Sequence, residues 1–363
     1  MGPKYEKAGK AAARCRTLPG WPRAAGCTFL AKLLTLSYPH PTLRVHVAAA
    51  LPGQPPAAPR LPLAFEPFLF LTPAHQALQV HGCPVLAFFL EDEAAARTVA
   101  QFYVVLDFGG QGLARSPGQA SFGGVQLAPG LPVSAVHLLL DVAEATLRQH
   151  QQTQLEIRGY ASCYDPAGAA TVDEALGARN YRVTLEEENY HLATDRAYEA
   201  HLHRSERRRL NRCRRAGLVV EQEPPFLVPA AYEFIAACRQ ERGQSLSLSL
   251  ARIEELFRLF PRQHLLFSVR KPGSGDWSAL SIAIQVSQRV VYNLYHASPI
   301  IDNDLSPVVL LNEGLHTYAS ASGAVAVDLG TSMLSSGPNE SLLRFKHNLG
   351  GVSTQRLTWQ KRL

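Results

Sequence analysis

Seven arginines fall within the twelve residues 204–215, RSERRRLNRCRR. At helical pitch Arg204, Arg208 and Arg212 share a face, with Arg215 close to it. Such crowding calls for negative charge. Either carboxylates such as Glu199 and Glu206 neutralise a solvated helix, or the row meets phosphate on RNA, a nucleotide or an anionic lipid precursor. No aromatic residues interleave. Asp328 ends an apolar run, Ala324–Leu329 (AVAVDL). A carboxylate at the C-terminal end of a buried strand is well placed for polar chemistry in a mixed α/β fold, or it caps the turn Gly330-Thr331-Ser332. Lys346 sits in a short helical segment, Asn339–Leu349, where it can pair with a phosphate or carboxylate or lie in solvent. Ser306 precedes Pro307 at the head of a helix and can cap it or offer its hydroxyl to a ligand. His201, His203 and Glu206 are metal-type side chains, but no further ligand accompanies them, so no metal is expected. The chain has no G-x-S-x-G, Walker loop or dinucleotide fingerprint.

The chain that must position these groups has 363 residues, 46% hydrophobic and 18% charged. That suffices for two domains with a sizeable core and excludes global disorder, a collagen-like chain or a small disulfide scaffold. The longest apolar runs, such as Pro84–Leu90, are too short to span a bilayer. The net charge of +6 is uneven: the first 60 residues carry +8 and the rest −2. The first 60 residues also hold nine prolines and no sustained period. Residues 1–61 are therefore read as a poorly ordered, basic, Pro-rich extension, with a basic arm for an acidic partner as the alternative. Six cysteines without C-x-x-C pairs point to reduced thiols and a cytoplasmic location. The apolar stretch Cys27–Leu36 lacks a clean signal-peptide cleavage site.

From Pro84 the pattern becomes regular. Pro84–Leu90 and Gln101–Phe108 read as strands, and a Ser116-Pro117 loop follows. Pro132–His150 reads as a helix with Val133, Val136, Leu139, Leu140, Ala143 and Leu147 on one face, and Leu155–Ile157 starts a strand. The second half repeats this order. His264–Arg270, Ala279–Val286 and Val290–Tyr295 read as strands. A Ser306-Pro307 turn leads into a helix over Pro307–Ser320, and Ala324–Leu329 is a final buried strand. The spacer is helical: Thr194–Arg215, ended by Gly217, then amphipathic Val228–Arg242 and Leu250–Leu259.

This order of strands, Ser-Pro turn, helix and strand, followed by Leu342-Leu343-x-Phe345-Lys346-x-x-Leu349-Gly350, resembles the GNAT superfamily. Within it the chain is similar to the branch of Fem-type (peptidoglycan-bridge) aminoacyltransferases and related acyltransferases. The basic segment ending in Ala216-Gly217 matches that branch, and the resemblance covers about residues 80–363. It implies a mixed α/β fold (α+β) of two GNAT-like domains, each with a largely antiparallel sheet flanked by helices. Their expected bounds are 62–200 and 201–363, the second opening on a basic linking helix, 201–217. The implied activity is transfer of an acyl group, acetyl first, from acetyl-CoA or another acyl-CoA to the amine of a small molecule or peptide. An aminoacyl-tRNA donor held through Arg204–Arg215, or a non-catalytic binding module that kept the fold, are the alternatives.

The resemblance also assigns roles. Tyr295 as proton donor and His296 as base lie at the end of an inner strand where donor and acceptor meet, with Asp328 nearby. Ser306, Pro307, Lys346, Arg208 and Arg212 would hold the donor. A core tyrosine and a surface histidine are the structural readings of Tyr295 and His296. Arg115-x-x-Gly118-x-Ala120 matches the family's pyrophosphate loop, yet Ser121–Pro132 separates it from the next helix. In the second half Asp302-Asn303-Asp304-Leu305-Ser306-Pro307 stands at that place, with two acids and no glycine, which suits an aminoacyl ester at least as well as CoA. An open cleft between Val290–Tyr295 and Ala279–Val286 is expected of an enzyme.

Overall fold

Strand-length apolar runs alternating with amphipathic helices can bury their faces only as a sheet with helices packed against it. The computed structural model describes residues 42–363 apart from 52–53, 55–56, 80–81, 108–109 and 335–336. The segment up to residue 41 lies outside the described residues. The first half contains β1 (Leu43–Ala50), α1 (Pro73–Gln76), β2 (Val85–Asp92), β3 (Arg97–Val105), β4 (Leu113–Ser116), β5 (Val125–Leu127), α2 (Val133–Gln149), β6 (Gln154–Arg158), α3 (Pro166–Ala178) and β7 (Arg182–Ala193). Then come α4 (Tyr198–His201), α5 (Arg204–Arg215), β8 (Val219–Glu223), α6 (Val228–Gln240), α7 (Leu250–Leu259), β9 (His264–Arg270), β10 (Trp277–Ser287) and β11 (Val290–Ala297). The chain ends with α8 (Pro307–Ala321), β12 (Ala326–Thr331), the two-residue strands β13 (Met333–Leu334) and β14 (Gly337–Pro338), α9 (Glu340–Asn348) and β15 (Val352–Arg362).

The main sheet has 13 strands in the order β1-β2-β3-β4-β6-β15-β7-β12-β11-β10-β9-β8, with β5 beside β3. Its pairs are antiparallel except β4–β6 and β11–β12. Each parallel pair is bridged by a helix, α2 or α8, which is the repeat anticipated from element order. The apolar face of α2 (Val136, Leu139, Leu140, Ala143, Leu147) is fully buried on the first half. Val309, Leu311 and Leu315 of α8 do the same on the second. The aromatic side chains Phe68, Phe70, Phe122, Tyr160 and Tyr164 form a third cluster with Ile284, Val286 and Val290, joining the two halves.

The halves exchange their last strands. The C-terminal strand β15 lies between β6 and β7 of the first half, while β7 also pairs with β12 of the second. Each half is thus completed by the other. Residues 62–200 and 201–363 expressed separately are expected to yield insoluble or unstructured chains, because each exposes unpaired strand edges. Co-expression is expected to restore a soluble complex. Two monomeric, cooperatively melting fragments in gel filtration and circular dichroism would contradict the exchange.

Several expectations are corrected. Residues 43–50 (LRVHVAAA), inside the expected poorly ordered extension, form β1 and pair with all of β2. The charged helix expected over Thr194–Arg215 is two helices, because His203 becomes the N-cap of α5 and donates its backbone N–H to Asn348 O at 2.8 Å. Arg115–Ala120 opens into no helix: β5 comes next, and a Cβ on Gly118 would stand 2.6 Å from Gln79 O and 2.8 Å from Val105. Strands β10 and β11 are hydrogen-bonded along their length, so the expected cleft between them is closed.

Candidate active site

The opening lies one strand over. Strands β11 and β12 pair only at Val290–Ala326, Val291–Val327 and Tyr292–Asp328. Beyond that point β11 follows β10 to Ala297 and β12 follows β7 to Thr331, leaving a fork. The chain runs from the open end of β11 into the head of α8, at the C-terminal end of a parallel strand, where ligands bind in open α/β sheets.

Asp328 stands at the base of the fork, 3% exposed. Its carboxylate accepts from Tyr164 Oη at 2.7 Å, Asn189 Nδ2 at 2.8 Å and the Gly330 backbone N–H at 2.8 Å. Both sequence readings meet here: the side chain caps its own turn and also ties β12 to β7 and to the segment preceding α3. Burial and the Asp328 charge push the Tyr164 phenol well above its usual range, so it stays a neutral donor. Burial likewise raises Tyr292.

Lys346 reaches the fork from α9. Only 2% exposed, it donates from Nζ to Gly330 O at 2.8 Å and Thr331 O at 3.0 Å. Burial pushes its pKa down to about 8, with Asp328 opposing and Arg356 adding to the shift. It is therefore not a solvated helix lysine.

His296 is directly opposite Ser281 across β10–β11, whose neighbour Ala283 faces α8. Cross-strand partners share a face. The neighbour of His296, Tyr295, is opposite Ile282 and faces α6 and α7, as strand alternation requires. The bulge at Leu294 parts Tyr295 from Asn293, which is opposite Ala283. The phenol of Tyr295 accepts from Leu248 N at 3.1 Å and bonds Ser247 Oγ, tying down the loop before α7, so its hydroxyl is engaged away from His296. The His296 Nδ1 is buried and unpartnered. Burial, with Lys346 and Arg239 nearby, lowers its pKa to about 3. A neutral imidazole of that basicity takes protons poorly at pH 7 and serves as a hydrogen-bonding group.

Two cations at the fork escaped the sequence reading. Arg356 of β15 clamps Glu187 Oε2 at 2.7 and 3.0 Å and touches Thr331 Oγ1 at 3.4 Å. Arg239 of α6 lies 5.0 Å above the Tyr295 ring and makes no hydrogen bond or ion pair among the described residues, its Nε buried. The spacing that could have exposed Arg239 was available, since it is the one charge on the apolar face of α6.

The head of α8 has unusual backbone. Ser306 occupies the N-cap position with φ 55° and makes no side-chain cap. The capping expectation therefore fails, because a left-handed residue aims its hydroxyl away from the first turn. Such a conformation costs a non-glycine residue roughly 1–2 kcal/mol. Pro307 supplies no N–H to a ligand. Asp302 is turned inward, bonded to Lys271 at 2.9 Å and Ser278 at 2.9 Å, which neutralises one of the two acids at this loop. Arg212 of α5 reaches the loop, donating to Asp304 O at 2.6 Å. Along α5 Arg209 pairs with Glu206, and Arg214 with Glu199 and Glu313. Arg204, Arg208 and Arg215 are exposed and make no ion pair or hydrogen bond among the described residues. Of the α5 arginines Arg212 is the one seen bonded to this loop, and the loop holds no glycine between Asp302 and Pro307.

His203 caps α5 and Glu206 binds Arg209; among the described residues no group of three His, Cys, Asp or Glu is arranged to hold a metal. Among them also no helix is long and apolar enough to cross a membrane. No protein-family model matches the chain, and no curated protein matches it. Solved structures do. A crystal structure of FemX matches with a TM-score of 0.62 at 12% identity, over 76% of this chain and 87% of that one. A conserved protein of unknown function from Bacteroides thetaiotaomicron VPI-5482 gives 0.51 at 11% identity, over 73% and 86%. A tandem GNAT protein from the clavulanic acid biosynthesis pathway gives 0.47 at 13%, over 88% and 98%. At such identities the likeness is one of fold: this chain has a FemX-like architecture, two similar halves of mixed α/β structure built into one sheet.

Proposed function

We propose that the chain is a GNAT-type N-acyltransferase that carries an acyl group from a phosphate-bearing donor to an amine. The fork between β11 and β12, with Lys346 inside it and the head of α8 at its mouth, is the observation that carries this reading. In the reaction the amine nitrogen bonds to the acyl carbon, the bond to the donor's sulfur or ester oxygen breaks, and the proton the amine gives up ends on that leaving sulfur or oxygen. Negative charge gathers on the acyl oxygen in between. A buried ammonium at Lys346, reinforced by the unpaired guanidinium of Arg239, would stabilise that charge before water could. His296 would hold the acceptor or donor by a hydrogen bond, and Arg208, Arg212 and Ser306 would hold the donor's phosphate. We place the enzyme in the cytoplasm, consistent with four free thiols among the described residues.

Acetyl-CoA is the first donor to test. Calorimetric titration of the full chain with acetyl-CoA and CoA is expected to show micromolar binding, weakened at least tenfold by Arg212→Glu, which reverses a charge beside the phosphate. Absence of heat at millimolar ligand would sink the acyl-CoA donor. A second reading, an aminoacyl-tRNA donor, is favoured by the three unpartnered arginines Arg204, Arg208 and Arg215. It predicts tRNA binding that falls with salt and flattens in the triple Arg→Glu variant.

A further inference from the structure

A cavity lies outside the fork. It occupies about 60 Å³ in the first half, between α3 and the strands β6 and β15, and no fork residue lines it. Its walls are mainly apolar, with a few polar groups converging: Tyr160, Ser162, Asp173, Gln355 and Trp359. Asp173 is the only charge among the lining residues. Its carboxylate accepts from Trp359 Nε1 at 3.1 Å, and it forms no ion pair among the described residues. Tyr160 is 7% exposed, and its hydroxyl is buried without a hydrogen-bond partner. A carboxylate without a counter-ion can accept from N–H groups, and an unpartnered phenol hydroxyl, donor and acceptor both, has a free lone pair to accept one more. The indole of Trp359 and the phenol ring of Tyr160 add aromatic surface, which attracts cations. Burial raises the Asp173 carboxyl above its usual range, as expected where no cation answers it.

We propose that this cavity binds the head of a primary alkylammonium ion, such as the end of a lysine side chain or a short free amine. An ammonium on a short carbon chain satisfies the whole wall at once. Its charge meets Asp173, one N–H meets Tyr160 Oη, another meets Ser162 Oγ, and its methylenes lie against Val172 and the indole. Each water-sized group needs about 10–15 Å³, so the volume suits an ammonium with two or three carbons; a quaternary ion, with no N–H to give, leaves the Tyr160 and Ser162 oxygens unanswered. The proposal does not depend on the reaction at the fork.

The test uses the full chain labelled with ¹⁵N-indole tryptophan, with the Trp359 resonance assigned through Trp359→Phe. Ethylammonium chloride, titrated at constant ionic strength, is expected to shift the Trp359 indole signal saturably. The midpoint should lie on the order of millimolar, the ceiling for so few heavy atoms. Asp173→Asn keeps the size and a hydrogen-bonding oxygen, and should weaken binding at least tenfold. Tyr160→Phe, which removes only the orphan hydroxyl, should weaken it severalfold. Tetramethylammonium and ethanol should leave the signal in place. A linear, unsaturating shift, an equal shift with ethanol, or undiminished binding in Asp173→Asn would each overturn the proposal. If Asp173→Asn does not fold, Tyr160→Phe decides alone.

Discussion

Lys346→Met is expected to lower the turnover of amine acylation by about 10²–10³-fold, the usual loss when one preorganised donor to a developing oxyanion is removed. Methionine fills most of the same volume and keeps the apolar stem, so the change isolates the charge. The ammonium is held at the end of β12 by two backbone carbonyls, a geometry that needs no rearrangement when charge develops on a substrate. The pH dependence gives a second, independent reading. Burial brings the Lys346 pKa to about 8, so the charged fraction falls as pH rises through that value. Turnover in the wild type should therefore drop above about pH 8, and this limb should vanish in Lys346→Met. Stability moves the other way. An unfolded lysine titrates near 10.4, so between about 8 and 10.4 the unfolded chain binds more protons than the folded one, and stability rises with pH across that window. The rise should be absent in the variant. Unchanged turnover alongside the altered stability slope would make Lys346 a strut for β12 and remove it from the reaction.

Asp328→Ala is expected to cost about 3–5 kcal/mol of stability, the range for breaking a buried, hydrogen-bonded charge. Three donors lose their acceptor at once: Tyr164 Oη, Asn189 Nδ2 and the Gly330 N–H. Each orphaned group costs about 1–3 kcal/mol. Tyr164→Phe removes one donor together with nothing else and should cost about 1 kcal/mol. Because the two side chains share one bond, the double variant should fall short of the sum of the singles. Urea midpoints with a constant slope would measure these values. A shift of less than about 1 kcal/mol for Asp328→Ala would mean that water replaces the carboxylate, and that Asp328 faces the fork rather than joining the halves.

Much of the frame was legible from residues alone. The apolar period of α2 and the helix-opening Pro307 of α8 depend on neighbours within one or two turns. So do the amphipathic faces of α6 and α7. Such local signals survive without tertiary context. The two strands at the middle of the sheet left no such mark. β7 (RVTLEEENYHLA) carries three consecutive glutamates, and β15 (VSTQRLTWQKR) reads as a polar tail. Their stability comes from each other, with Arg356 opposite Glu187 and bonded to it. A pairing across more than 160 residues of chain has no signature in either segment taken singly.

The same division runs through the candidate site. Ser306, Asp328, Lys346 and the α5 arginines could be named as candidates from residue type and position at the end of an element, each beside a structural reading as a cap or a solvated charge. Which of them meet was decided by tertiary structure. One bulged residue, Leu294, sent Asn293 and Tyr295 to opposite faces, a change that alternation along a strand cannot foresee. Tyr164, Asn189, Arg239 and Arg356 joined the fork from four separate elements. Burial then settled their protonation: desolvation holds His296 near 3 and Lys346 near 8. Residue types and local periods set out the parts and the repeat of the fold. The fork, its partners and its charges followed from packing, since pairing register and dielectric environment are properties of the assembled sheet.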